Sequence, residues 1–230
     1  MVRGCLRKAT QFAVDAIYPK RCASCGRRGM WLCDDCRAAL RLFAPPWCDR
    51  CGVPVTYSRC RCESLPDQLA FVRAAGPYDG WLRDAIVTFK YHSEWGRGEH
   101  LGPLVTAVAA SVRGADTVVP VPLHRSKLRM RGYNQSLILA TSVARGLDLP
   151  LTEALVRSRR TDPQVHLGER ARRINVQDAF TVSGHVLVAG RNVMLIDDVV
   201  TTGATLGACA EALLHGGAAT VSAALVAREM

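Results

Sequence analysis

The sequence predicts an α/β protein with a doubly wound, mainly parallel sheet, preceded by a small cysteine-rich module. Three observations predict it. Strand-like and helix-like segments alternate from residue 69 onward, as β-α-β crossovers require. Residues 193–196 (VMLI) are apolar without alternation, which suits a strand buried on both faces of a parallel sheet. Eight of the ten cysteines fall within residues 22–62 and form a framework of their own. The division this suggests is 1–64 for an N-terminal helix and cysteine module, and 65–230 for the sheet domain.

The elements follow in order. Residues 1–19 read as a short amphipathic helix, with Phe12, Ala16 and Ile17 on one face and Arg7 and Lys8 on the polar side; Pro19 ends it. After the cysteines, 65–68 is a linker containing Pro66. Residues 69–75 (LAFVRAA) are strand-like. Residues 81–91 have helical spacing, with Leu82, Ile86 and Phe89 on one face. Residues 101–112 form a second apolar helix with Pro103 near its start. Residues 117–121 (TVVPV) are a short strand whose end Pro120 and Pro122 stiffen. A helix over 134–146 ends at Gly146. The buried strand follows at 193–196, then a helix over 204–214 stopped by Gly216 and Gly217, then a last strand over 220–226. No internal repeat is evident.

Composition narrows the function classes. The net charge is +10, and residues 1–64 hold 12 Lys and Arg against 5 Asp and Glu, while the rest holds 18 against 15. The excess sits in the N-terminal quarter, where it reads either as a polyanion-attracting module or as a solvated basic surface. Gln11 and Asp15 interrupt the stretch at 10–18, so no signal peptide is expected, and no run reaches the roughly 18 apolar residues of a membrane helix. A cytoplasmic protein with metal-bound thiolates is the expectation.

The cysteine spacing is C-x2-C-x7-C-x2-C, then C-x2-C-x8-C-x-C. Two thiolates two residues apart chelate one side of a tetrahedral ion, so four half-sites make two four-thiolate zinc sites. Sequential pairing would use Cys22, Cys25, Cys33 and Cys36 for one and Cys48, Cys51, Cys60 and Cys62 for the other; a cross-braced pairing is the alternative. Iron–sulfur ligation and a disulfide knot compete with zinc. Cys5 and Cys209 fall outside the pattern and read as structural or incidental. Arg21, Arg27, Arg28, Arg37, Arg41, Arg50, Arg59 and Arg61 surround the knuckles. Trp31 and Trp47 either offer stacking faces for single-stranded nucleic acid or complete a small core.

The chemistry concentrates in residues 193–205, VMLIDDVVTTGAT. Ligands of open α/β sheets bind at the carboxyl ends of strands, where Asp197 and Asp198 sit. Two adjacent carboxylates resist burial and need a hydroxyl, a cation or a metal. Gly203 lets the backbone take positive φ, and the amides of Thr202, Gly203, Ala204 and Thr205 open a helix whose dipole favours an anion. Hydroxyls of Thr201, Thr202 and Thr205 add donors. Carboxylates for a diol or metal beside amides for a phosphate suit a sugar phosphate. Gly-Lys-Ser/Thr of the P-loop and G-x-G-x-x-G are absent from this segment. A second loop, 119–135 (VPVPLHRSKLRMRGYNQ), alternates Arg125, Lys127, Arg129 and Arg131, which line one side if extended and suit a pyrophosphate clamp or a basic surface. Residues 157–180 are polar and charged and read as an exposed excursion or a lid.

VMLIDDVVTTGAT resembles the phosphoribosyl-pyrophosphate (PRPP) signature of type I phosphoribosyltransferases. The resemblance implies that fold and PRPP with Mg2+ as ligand. It implies ribose hydroxyls on the candidate catalytic pair Asp197 and Asp198, and the 5′-phosphate on Thr201, Thr202, Gly203, Ala204 and Thr205; Arg125, Lys127 and Arg131 of the basic loop are the candidates for the pyrophosphate. Pro-Val-Pro at 120–122, Arg-Gly-Tyr-Asn-Gln at 131–135, Thr-Asp-Pro-Gln at 161–164, Arg-Arg-Ile-Asn-Val at 172–176 and the PRPP loop together resemble the ComF family, competence-associated phosphoribosyltransferase-like proteins with an N-terminal cysteine motif. Phe-Lys-Tyr at 89–91 resembles it too, without assigning Lys90 a role. The expected function is PRPP and single-stranded DNA binding in DNA uptake. A nucleotide-salvage transferase and a non-catalytic PRPP sensor are the rivals, since no residue stands out as the base for an acceptor.

Overall fold

In the computed structural model of the chain, the described residues are 20–57, 60, 62–91, 96, 98–157, 179–183 and 188–230. The helix expected over 1–19, Cys5, Arg59, Arg61 and residues 158–178 of the Arg-rich excursion lie outside them. The chain divides into two compact units, residues 1–40 and 41–230. That division falls inside the cysteine module, whose second group of cysteines is tied to the sheet by packing. The N–H of Val72 donates to the Arg50 carbonyl (2.8 Å), and buried Arg228 donates to the Cys51 carbonyl (2.9 Å).

In the first unit, the N–H of Cys22 donates to the Arg27 carbonyl (2.8 Å) and that of Gly26 to the Cys22 carbonyl (3.0 Å). Helix α1 (Asp34–Ala38) follows, with Arg27 paired to Asp35 at 2.8 Å. The same turn recurs in the second unit. There Cys48 N–H donates to Val53 (2.9 Å) and Gly52 N–H to Cys48 (2.9 Å). Both turns are flanked by a bridge, Arg21 to Arg28 and Trp47 to Pro54, and both place a glycine at φ near +70°, Gly26 at 74° and Gly52 at 72°. The two knuckles are thus a structural repeat, too short and divergent to stand out in the sequence.

The sheet is four-stranded and parallel, in the order β1-β6-β5-β2: β1 (Val72–Pro77), β2 (Thr117–Pro120), β5 (Asn192–Val200) and β6 (Thr220–Arg228). Strands β3 (Leu155–Arg157) and β4 (Phe180–Val182) form a separate antiparallel pair at the base of the Arg-rich excursion. The helices are α2 (Gly80–Tyr91), α3 (Gly98–Ala109), α4 (Arg125–Arg131), α5 (Gln135–Leu147) and α6 (Ala204–His215). Val193, Leu195, Val221, Ala223 and Leu225 share one apolar cluster with Leu206, Leu213, Leu155 and Phe180. Met194 and Ile196 alternate with them and are equally buried, outside that cluster. Successive strand residues point to opposite faces, so both faces of β5 are covered, as the unbroken apolar run implies.

Two local expectations are corrected. The helix expected to end at Gly146 continues to Leu147 and is capped by Asp148 at φ 53°. Gly146 serves close packing instead: an added Cβ would meet Thr106 Cγ2 of α3 at 2.5 Å. Residues 125–131 are helical, not extended. His124 Nδ1 accepts the Ser126 N–H (3.2 Å) to start α4, and Gly132, at φ 80°, closes it.

Candidate functional site

Strand β2 pairs with β5 only as far as Pro120 opposite Ile196, with a last bond from Val121 N–H to the Ile196 carbonyl at 3.0 Å. Strand β5 continues beside β6 alone, through Val200 opposite Arg228. Asp197 and Asp198 therefore begin where β5 has lost its β2 neighbour. Both carboxylates already have protein partners. Ser136, in the first turn of α5, donates to Asp197 Oδ1 at 2.7 Å. Lys90, in the last turn of α2, lies with Nζ 2.7 Å from Asp198 Oδ1, and the two side chains are 23% and 7% exposed. The sequence called for a hydroxyl, a cation or a metal at this pair without saying which, or which residue would bring it.

The electrostatics follow. Part of Asp197 still meets solvent, yet the protein packed round it desolvates the carboxylate, and the charge of Asp198 adds to this. Lys90, Ser136 and the Asp198 N–H oppose both, and the net effect pushes Asp197 up to about 7. Burial works against the charge on Lys90, but the charge and hydrogen bond of Asp198, with Asp197 behind it, outweigh that and raise its pKa. Arg157, at the end of β3, stacks over Phe180 at 5.1 Å and also feels the Asp197 charge. Neither Ser136 nor Arg157 was singled out by sequence. Asn134 fixes the start of α5: its Nδ2 donates to the Val121 carbonyl (3.1 Å) and its Oδ1 accepts the Ser136 N–H (3.1 Å).

Past β5, Thr201 is exposed and Thr202 half-buried. Gly203 caps α6 at φ 74°, with no side-chain cap hydrogen bond. Thr202 Oγ1 lies 3.5 Å from the Ala204 N–H. The first-turn amides of a helix lack intrahelical acceptors and face outward at the positive end of its dipole, and in α6 that of Ala204 is directed at Thr202 Oγ1. Behind the loop, an added Cβ on Gly203 would meet Pro66 Cδ at 2.8 Å, and one on Gly207 would meet Pro66 Cγ at 2.7 Å.

The cations of α4 do not form one row. At about 100° per residue, Arg125 and Arg129 share one side and Lys127 and Arg131 the other. Arg125, Arg129, Leu128 and Met130 are exposed, while Lys127 and Arg131 are half-buried. Arg131 stacks over Tyr91 at 5.0 Å, beside Lys90. Of the three α4 residues predicted at the ligand, only Lys127 and Arg131 lie on the half-buried side.

The eight thiols gather sequentially, not cross-braced: Cys22, Cys25, Cys33 and Cys36 in one cluster, Cys48, Cys51, Cys60 and Cys62 in the other, each with its sulfurs within 4.8 Å. Sγ separations are 3.5 Å for Cys25–Cys33 in the first cluster and run from 3.0 Å (Cys60–Cys62) to 3.6 Å (Cys48–Cys60) in the second. Zinc–thiolate bonds of about 2.3 Å place tetrahedral sulfurs roughly 3.8 Å apart, so both clusters fit a four-thiolate ion. Burial opposes charging Cys22 and Cys48, but nearby N–H groups, those of Cys25 and Cys51 foremost, bring each thiol down to about 6. Trp31 is 9% exposed and offers no stacking face. Trp47 is half-buried beneath the Arg73 guanidinium (5.9 Å). Cys209 is buried in α6, its thiol raised by burial. No helix among the described residues is long and apolar enough to cross a membrane.

Two family models match the chain: a phosphoribosyl transferase domain over residues 134–230 and a double zinc ribbon domain over 13–66. The DNA utilization protein YhgH of Escherichia coli K12 is 32% identical over 84% of this chain and 88% of its own. Competence protein F of Haemophilus influenzae is 29% identical over 76% and 80%. Competence protein ComFC of Bacillus subtilis is 27% identical over 95% and 92%. Among solved structures, the glutamine PRPP amidotransferase of B. subtilis aligns at 22% identity and TM-score 0.38, over 55% of this chain and 25% of that one.

Proposed function

The chain belongs to the ComF family, and on that footing we propose that it binds PRPP or a related phosphoribosyl ligand, binds single-stranded DNA, and acts in DNA uptake. The observation that carries the ligand reading is the placement of Asp197 and Asp198 where β2 leaves β5, a few residues ahead of the glycine-capped start of α6. A phosphoribosyl group spans those two features: ribose hydroxyls donate to the carboxylates, and the 5′-phosphate accepts from the amides and hydroxyls of residues 201–205. Lys127 and Arg131 face the pyrophosphate in this reading, and Arg125 is too exposed to be placed with them. Mg2+ would neutralise the pyrophosphate it arrives with. If ribose is transferred, positive charge growing on its ring meets the carboxylates.

Support for DNA is electrostatic. Arg21, Arg27, Arg28 and Arg37 are all exposed on the first ribbon unit. Reduced thiols grouped for zinc suit a reducing compartment, hence a cytoplasmic location. Salvage transfer to a nucleobase is the rival, and matches across most of the chain to relatives named for DNA utilization and competence favour the DNA role.

Thermal shifts with PRPP, ribose 5-phosphate and pyrophosphate test the ligand reading: PRPP should stabilise most, and equal shifts by pyrophosphate alone would reassign the site. A gel shift with single-stranded DNA, before and after zinc chelation, tests the partner. Binding should fall with salt and with chelation; no binding by the intact protein removes the DNA reading.

A further inference from the structure

Lys90 is more than a residue that happens to lie near the acidic pair. Its two neighbours are held by one turn: the Tyr133 hydroxyl donates to the Phe89 carbonyl, their rings lie 5.7 Å apart, and Arg131 stacks over Tyr91 at 5.0 Å. The Arg131–Gly132–Tyr133 turn thereby aims the ammonium at Asp198, 2.7 Å away. Asp198 itself is 5% exposed, so its charge has little water to lean on. On the other carboxylate, Ser136 already uses Asp197 Oδ1. A resident Mg2+ would need near-octahedral oxygen ligands in place of these partners. The pair as built does not fit one.

We propose that Lys90 is the resident cation of the Asp197–Asp198 pair, closing it to free divalent ions and yielding Asp198 only to a ligand that brings hydroxyl donors. Only the last clause rests on the phosphoribosyl reading. Lys90 is in these terms a positioning residue that sets what the pair accepts: a diol in exchange for an ammonium, with the metal left to the pyrophosphate.

Mn2+ binding to the zinc-loaded full chain, followed by the electron paramagnetic resonance signal of free Mn2+, tests the cation claim without any nucleotide. Wild type and Asp198→Asn should give the same isotherm. Lys90→Met should gain one site, at least about tenfold tighter than anything in wild type: an adjacent opposite charge changes a carboxylate's proton affinity by about one to three orders, and a divalent ion meets the same field. The double variant Lys90→Met/Asp198→Asn should lose that site. A wild-type Mn2+ site that Asp198→Asn abolishes overturns the proposal, as does a folded Lys90→Met variant with no new site. Should Lys90→Met fail to fold, the wild-type and Asp198→Asn comparison still decides. A negative PRPP titration would sink the ligand reading and leave this result standing.

Discussion

Pro66 lies where a side chain on Gly203 would have to go, with its Cδ 2.8 Å from that Cβ position. The linker after the second cysteine cluster therefore backs the loop between β5 and α6 directly. Leu65 beside it is 4% exposed, and the Leu69 N–H donates to the Pro66 carbonyl at 3.2 Å. Gly203→Ala must both strain a backbone at φ 74° and displace Pro66. We expect about 2–4 kcal/mol of lost stability in urea unfolding. Gly207→Ala meets only the ring and should cost about 1–3 kcal/mol. Equal costs would show that the positive φ is unimportant.

The second cysteine cluster is expected to stabilise the sheet. Cys51 belongs to the same apolar cluster as β5 and β6, and its carbonyl accepts from Arg228. Zinc binding is folding free energy when the site exists only in the folded state. Cys51→Ser should lower amide-exchange protection in β6 by at least about tenfold. Unchanged protection in β6 would show the cluster to be a passenger.

Asp197 should make stability depend on pH. Its folded pKa of about 7 lies well above the ordinary aspartate value, so the folded state holds the proton more tightly. The resulting stability is fully present below about pH 4 and is lost as pH rises through 7. Asp197→Asn keeps an oxygen for Ser136 and removes the charge. It should be more stable than wild type at pH 8, by on the order of 2 kcal/mol after allowance for partial solvent contact. At low pH the two should converge. A wild type that gains stability from pH 5 to 8 relative to Asp197→Asn contradicts this.

The Lys90–Asp198 pair should show a large coupling. Removing one partner of a buried pair leaves the other uncompensated, at about 3–5 kcal/mol. Lys90→Met and Asp198→Asn should therefore be non-additive in a double-mutant cycle, by about 1–3 kcal/mol. Additive costs would mean that the ion pair contributes nothing.

Much of the site could be read from the sequence because its signals are local. The VMLI run, the two aspartates and Gly203 occupy consecutive stretches, and β5, the loop and α6 follow them. Misreadings came where a local pattern allowed two outcomes. Alternating cations at 125–131 suggested an extended strip, while the His124 cap and Gly132 produce a helix that divides them. Gly146 looked like a stop and is a contact surface for Thr106, which only the meeting of α3 and α5 reveals. Lys90 and Ser136 reach the aspartates from helices far away in the chain, and no periodicity encodes such a meeting.

Titration calorimetry with PRPP and Mg2+, on wild type and Asp198→Asn, tests the proposed phosphoribosyl ligand most directly. A charged hydrogen bond contributes about 1.5–3 kcal/mol, so the substitution should weaken binding by roughly 10- to 100-fold. The same affinity in both proteins, or no binding by the folded wild type, would contradict the assignment of Asp197 and Asp198 to the ribose.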